Sequence, residues 1–289
     1  MQIHQIEEKY FDEIAKVDQM IFEHKNRRTL ENLKLMIQYN EDGCFCAIED
    51  GRIVGYIFSK NLGKEGYFGP IGVLPEYQNR GIASKLIDKS LEYLKKDCNT
   101  IGLEMMPEKG NILNLYYKKG FEVCFPSIIF DFPPNYSELP CGENVFLVEK
   151  YDENLIKEIR ELTKETGIDF SGDLKKIMEN KGKLVIYIEK GILKGFFAQK
   201  TEISARVWGF VNKSENRNEI TKELLVKLSK YLDEEAQSIR INGRNKEFIN
   251  FLFSENFKIK RSVNRMVLKG YSGDYFNTSD DYVARAWRG

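Results

Sequence analysis

Two stretches of this sequence repeat one another 140 positions apart. Ile48-Glu49-Asp50-Gly51 followed by Ile53-Val54-Gly55-Tyr56-Ile57-Phe58 reads as strand, tight turn, strand, and Ile188-Glu189-Lys190-Gly191 followed by Ile192-Leu193-Lys194-Gly195-Phe196-Phe197 reads the same way. Gly51 and Gly191 supply the positive φ that such hairpin turns require. At the same offset Tyr67-Phe68-Gly69 faces Val207-Trp208-Gly209, and each half then runs into a helix, a short strand and a second helix. An ordered series of matches argues for duplication and limits the chain to two similarly built halves.

The length agrees: 289 residues, at roughly 150 per domain, make two domains. All seven prolines lie at or before Pro140, and the stretch from Phe132 to Pro140 reads as an extended linker, because proline denies a ladder its N–H. The expected division is therefore residues 1–134, residues 141–270, and a tail at 271–289. That tail carries Tyr271, Tyr275, Phe276, Tyr282 and Trp287, and is expected to lie on the body, since disordered tails lack such residues.

Within the first half, periodicity places helices near 7–23, 28–39, 81–96 and 111–119. Strands fall near 44–49, 52–60, 66–74, 100–106 and 121–132. Ile82, Leu86, Leu91 and Leu94 form the apolar stripe of a helix that covers a sheet. The alternation predicts an α/β (α+β) layer fold.

Charge excludes some partners. Lys plus Arg and Asp plus Glu are 44 each, so no net field favours nucleic acid or an anionic membrane. No apolar run approaches a bilayer span, and the N-terminus lacks a secretory pattern. The five cysteines, at 44, 46, 98, 124 and 141, include no CxxC, and Cys44 and Cys46 would share one face of a strand. Free thiols and a cytoplasmic location are expected. With His4 and His24 as the only histidines, no all-histidine metal site can form, and no metal is expected.

The chemistry lies in Tyr67-Phe68-Gly69-Pro70-Ile71-Gly72-Val73-Leu74-Pro75-Glu76-Tyr77-Gln78-Asn79-Arg80-Gly81-Ile82-Ala83-Ser84. It starts as a strand, bends at Pro75 and becomes a helix near Gly81. A loop entering a helix presents unpaired N–H groups and the positive end of the helix dipole, and phosphates are the usual guest. Gly81 and Ala83 let a diphosphate approach the backbone, and Arg80 and Lys85 add positive charge. Alone, Q-x-x-G-x-A suits many helix starts; its context narrows it. The strand Ile101-Gly102-Leu103-Glu104-Met105-Met106 follows, then a helix ending Leu115-Tyr116-Tyr117-Lys118-Lys119-Gly120-Phe121. Other phosphate motifs, G-x-x-x-x-G-K-[ST] and G-x-G-x-x-G, are missing.

Strand, Q-x-x-G-x-A, helix, strand and L-Y-x-x-x-G-F in this order resemble the GNAT N-acetyltransferase superfamily, specifically over residues 44–132. The resemblance implies two GNAT-like domains, each a mixed, mostly antiparallel twisted sheet flanked by helices. It also implies acetyl-CoA as acyl donor and an amine as acceptor, and it is compatible with a homodimer. In such proteins the fourth and fifth strands splay and the pantetheine arm fills the gap. Carried over, Val73 and Leu74 would pair with pantetheine, and one of their N–H groups would face the thioester oxygen. The amides of Gln78, Asn79, Arg80, Gly81, Ile82, Ala83 and Ser84 would hold the pyrophosphate, and Asn111 would touch the cofactor arm. Lys109 departs from the pattern, standing where the family often carries Asn. Tyr116 matches the tyrosine that protonates the leaving thiolate, with Tyr117 as its control on another helix face. Glu104, twelve residues earlier, is the candidate base, a spacing that resembles the glutamate–tyrosine pair of the ribosomal-protein N-terminal acetyltransferases.

At the 140-residue offset, Gln78–Ala83 falls on Asn218-Glu219-Ile220-Thr221-Lys222-Glu223, which keeps no glycine and adds two carboxylates. Leu252 stands where the acid should be. The second half is thus expected to be GNAT-like without cofactor chemistry, shaping the acceptor pocket or buttressing the first sheet. A fragment lacking 141–289 should then lose acceptor turnover while weak donor binding survives. The expected reaction is direct attack of a small-molecule primary amine on acetyl-CoA in a ternary complex. A protein or peptide N-acetyltransferase and a non-catalytic acyl-CoA-binding sensor are the alternatives, and an intact Tyr116 argues against the sensor.

Overall fold

The computed structural model describes the chain apart from residues 23–28, 39, 167, 180–181, 200–205, 233–237, 274–280 and 285–289. His24, Tyr275, Phe276 and Trp287 lie outside the described residues. The first half runs β1 (Gln2–Gln5), α1 (Phe11–Phe22), α2 (Leu30–Gln38), β2 (Cys44–Glu49), β3 (Arg52–Leu62), β4 (Glu65–Val73), α3 (Ile82–Leu94), β5 (Thr100–Met105), α4 (Gly110–Lys118) and β6 (Phe121–Asp131). The second half repeats that order as β7 (Val145–Val148), α5 (Glu153–Thr163), α6 (Ser171–Glu179), β8 (Lys183–Glu189), β9 (Ile192–Gln199), β10 (Arg206–Val211), α7 (Arg217–Ser229), β11 (Ser238–Asn242), α8 (Lys246–Ser254) and β12 (Lys258–Ser272). A short β13 (Tyr282–Ala284) follows. No described helix is long and apolar enough to cross a membrane.

The repeat extends to backbone detail. Asp50 and Gly51 have φ of 49° and 74°, and Lys190 and Gly191 have 51° and 76°, the two positive values that a tight hairpin of this hand requires. Each hairpin also carries a register shift, at Ala47/Ile48 and at Tyr187/Ile188. α3 and α7 have 13 residues each, α4 and α8 nine each.

Two compact units emerge, and they divide the chain differently from the proline-rich stretch. The first comprises Met1–Val123 with residues 266–273, the second Cys124–Arg265 with residues 281–284, counting described residues. Phe132 and Tyr136, inside that stretch, are buried in the second unit's core, with ring centroids 4.8 and 5.1 Å from Phe257. Aromatic rings remove a large apolar area from water when buried, which holds this stretch against the second core. Of the tail aromatics that are described, Tyr271 lies against the first core and Tyr282 is buried in the second.

In the first unit β1, β2, β3 and β4 pair antiparallel, and β4 then pairs with β5 in parallel. Ile82, Leu86, Ile87, Leu91 and Leu94 of α3 cover one face against Val54, Ile57, Phe68, Ile101 and Leu103. Each such side chain contributes about 1.5–3 kcal/mol by leaving water. On its other edge β5 neighbours β12, whose Met266 and Leu268 belong to this core at 0% and 5% exposure. Lys269 N–H donates to the Gly120 carbonyl at 2.9 Å. The first unit is therefore built from both halves of the sequence. A fragment lacking 141–289 loses two of its core side chains, so retained donor binding is not its expected behaviour. Residual helix content without a cooperative unfolding transition is. In the full chain, Leu268→Ala should cost about 2–5 kcal/mol in chemical denaturation.

The five cysteines are free, with Cys44, Cys46 and Cys98 buried. Burial pushes the Cys46 and Cys98 thiols up to about 12 from an ordinary 9.0. A raised thiol pKa means that the folded state holds its proton longer than the unfolded chain, so stability falls as pH rises above 9.0. Iodoacetamide at pH 8 should label Cys124 and Cys141 before the three buried thiols, read by peptide mass.

Candidate active site

The site begins where β4 and β5 part. They pair only through Glu65–Tyr67 and Thr100–Gly102. The sequence supplies the reason for the break. Gly69 and Pro70 together oppose a single residue of β3, a bulge marked by the register shift between Ile57 and Ser59. Pro70 has no N–H for a ladder, and bulges bend the strand that carries them. Beyond Tyr67 the two strands are a fork.

Val73 faces that fork. Leu74 N–H donates to the Val54 carbonyl at 2.9 Å, so Val54 and Leu74 are a hydrogen-bonded pair. Antiparallel pairing alternates, which turns the N–H and C=O of Val73, opposite Gly55, away from β3. Of the two amides expected at the thioester, Leu74's is thus spent within the sheet and Val73's is the one directed to the fork. Leu74 is extended, with φ −52° and ψ 139°, as a residue before proline should be.

The loop beyond it is expected to cradle a phosphate through its amides, and one of those amides is turned to another use. Gln78 N–H donates to the Pro75 carbonyl at 3.2 Å, so this amide closes a turn and is not directed at a ligand. Its side chain instead donates to the Val73 carbonyl at 3.1 Å, tying the loop to the strand end. The sequence reading missed this clamp, since a motif glutamine gives no sign of which backbone it will meet. Asn79 and Gly81 adopt φ of 61° and 78°, and Gly81 caps α3 without any side-chain hydrogen bond. The first intrahelical bond here runs from Lys85 N–H to the Gly81 carbonyl at 3.1 Å, leaving Ile82, Ala83 and Ser84 amides without helical partners. A Cβ placed on Gly81 would meet nothing within 4 Å, so the cradle is open. These features fit a diphosphate. Arg80 lies 4.9 Å from the Tyr77 ring and 3.7 Å from half-buried Glu49.

The two candidate catalytic side chains approach the fork from opposite faces. Tyr116, on α4, is buried, its ring 6.1 Å from Phe68 and 6.1 Å from Phe121. Phe68 is the first β4 residue past the paired segment, so Tyr116 sits where the strands separate. Tyr117 is half exposed at 50%. Leu103 and Met105 share Tyr116's core, and strand alternation puts half-buried Glu104 on the other face. Asn111 is exposed on the first turn of α4.

The second unit departs from this plan. α7 starts at Arg217, so the residues leading into it are Lys213-Ser214-Glu215-Asn216, and Asn218–Glu223, which a constant offset set against the motif, lie inside the helix. The connection is shorter than in the first half, and an offset fixed by the hairpins fails across it. Asn216 replaces Gly81 with φ −95°. Leu252 and Tyr116 are each the seventh residue of their helices.

The profile of the Acetyltransferase (GNAT) family matches residues 2–121. An N-alpha-acetyltransferase of Saccharolobus solfataricus is 33% identical over 92 residues, covering 27% of this chain and 55% of the relative. N-alpha-acetyltransferase 30 of Saccharomyces cerevisiae is 35% identical over 63 residues, 22% of this chain and 36% of that protein. The chain thus spans about half the length, or less, of the curated relatives it matches. Among solved structures, a candidate acetyltransferase from Pyrococcus horikoshii superposes with TM-score 0.74 at 18% identity over 92% of this chain and 88% of that one. A tandem GNAT protein from the clavulanic acid biosynthesis pathway gives 0.64 at 11% identity over 93% and 99%. At these identities the likeness is one of fold. The family match thus falls within the first unit, and the two-unit fold is like that of a tandem GNAT protein.

Proposed function

We propose that the first unit transfers an acetyl group from acetyl-CoA to a primary amine by direct attack, with both substrates bound at once. The observation that carries this reading is the fork between β4 and β5, which opens at the Gly69–Pro70 bulge and ends at an uncapped helix start. Acetyl-CoA supplies the activated acyl group. Ile82, Ala83 and Ser84 amides, with Asn79, Arg80 and Gly81, hold its diphosphate, and Asn111 contacts its arm. Val73 N–H stabilises charge at the thioester oxygen, where losing one such donor typically costs 10²–10³ in rate.

Tyr116 gives its phenolic proton to the departing sulfur, its ring held by Phe68 and Phe121. Glu104 takes a proton from the acceptor ammonium on the opposite face. This division keeps acid and base from neutralising one another. The acceptor is a small-molecule amine. One observation favours a second reading, the α-amine of a peptide: the curated relatives are N-alpha-acetyltransferases.

Thiol release from acetyl-CoA, measured across small amines and short peptides with free amino termini, tests the reaction and separates the acceptor classes. Donor binding without thiol release from any acceptor would leave a sensor instead. Tyr116→Phe should lower turnover by about 100-fold or more at unchanged CoA affinity, while Tyr117→Phe has no effect. Gly81→Val should abolish CoA binding in calorimetry, because it puts a side chain into the cradle at a φ of 78° that L residues rarely adopt.

A further inference from the structure

The second unit has the same fork, and it is filled. β10 and β11 pair in parallel only through Arg206–Val207 and Ser238–Ile239, then part as β4 and β5 do. Into this fork runs β13, antiparallel to β10, with Val211 opposite Tyr282, Phe210 opposite Val283 and Gly209 opposite Ala284. Ala284 also pairs with Ile241 of β11. The end of the chain thus serves as an added strand between two separating strands.

Its surroundings match a ligand's in chemistry as well as in place. The Asp281 carboxylate accepts from the Lys213 backbone N–H at 2.8 Å, at the loop that leads into α7. That loop corresponds to the phosphate cradle of the first unit. Tyr282 is 1% exposed, stacks on Phe248 at 4.4 Å, lies under the Arg217 guanidinium at 4.6 Å and donates from its hydroxyl to Asn218 Oδ1 at 2.7 Å. Asn245 Nδ2 donates to the Asp281 carbonyl at 2.9 Å. An anion at the loop before the helix, followed by an extended backbone in the fork, is the pattern that a diphosphate and its arm would make.

We propose that the second unit is a self-liganded donor slot, in which residues 281–284 of this chain stand where the acyl donor lies in the first unit. The tail strand closes this fork to acetyl-CoA, and the chain has one donor site where its duplicated fold offers two. The closure also removes an edge inside the sheet that would otherwise recruit foreign strands.

A Val283→Pro substitution in the full chain tests the slot, since proline is not tolerated in a central strand. A synthetic peptide of residues 280–289 should bind this variant in the micromolar range, while the wild-type chain, its slot occupied, leaves it unbound by at least 100-fold. Equal binding to both chains, or binding to neither while the variant keeps its folded circular dichroism, overturns the proposal. Should the variant unfold, Asp281→Ala decides by hydrogen exchange. Amides 282–284 must exchange at least tenfold faster with β1–β5 unchanged, and unaltered exchange there overturns it. CoA titration of the wild type should give one site per chain; two sites refute the closure. The titration rests on the acetyl-CoA reading and the peptide arm does not, so a chain that binds no CoA yet accepts the peptide only as Val283→Pro would sink that reading alone.

Discussion

The structure depends on how briefly β4 pairs with β5. Three residue pairs join them, and then Pro70, which cannot donate, and the bulge with Gly69 end the ladder. Separating two strands inside a sheet leaves backbone N–H and C=O groups that something must satisfy, because buried unpaired amides are costly. In the first unit the Val73 carbonyl is met by the Gln78 side chain, and its N–H looks into the fork. The interrupted ladder is what makes room for the extended, hydrogen-bonding arm proposed to lie here.

Both units face this demand and meet it differently. The first keeps its fork open before a helix start with glycine at positive φ. The second closes its own with β13 and places the Asp281 carboxylate on the Lys213 amide, in the loop that leads from β10 to α7. Its loop carries Glu215 and Asn216 where the first carries Arg80 and Gly81, so the drift in sequence and the closure in structure point the same way. The two forks are built alike, and in the second unit β13 lies between the parted strands.

The halves are also not independent in their cores. Leu268 Cδ1 lies 3.6 Å from where a Cβ on Gly120 would be, at the end of the helix that bears Tyr116, and β12 flanks the strand that bears Glu104. A segment more than a hundred residues from the motif thus supports both elements that carry the proposed acid and base. The half of the sequence that lacks the Q-x-x-G-x-A motif thus contributes to the first unit's core.

Local features were legible in the sequence because they are set by neighbouring residues. The hairpin glycines at 51 and 191, the helix starting beyond Gly81, the extended Leu74 before Pro75 and the α3 stripe each follow from propensity, period or allowed φ. What the sequence could not decide was which distant strand lies beside which. The proline-rich stretch looked like a boundary, but its aromatic side chains anchor it in the second core. Leu74 and Gln78 looked like amide donors to a ligand, but sheet register and a local turn had already claimed their N–H groups. Residues 266–272 and 281–284 read as the end of a domain and a tail, yet one completes the first core and the other fills the second fork. Strand pairing is a contest among all segments of the chain for a limited set of backbone partners, and only the folded tertiary structure records which segment won.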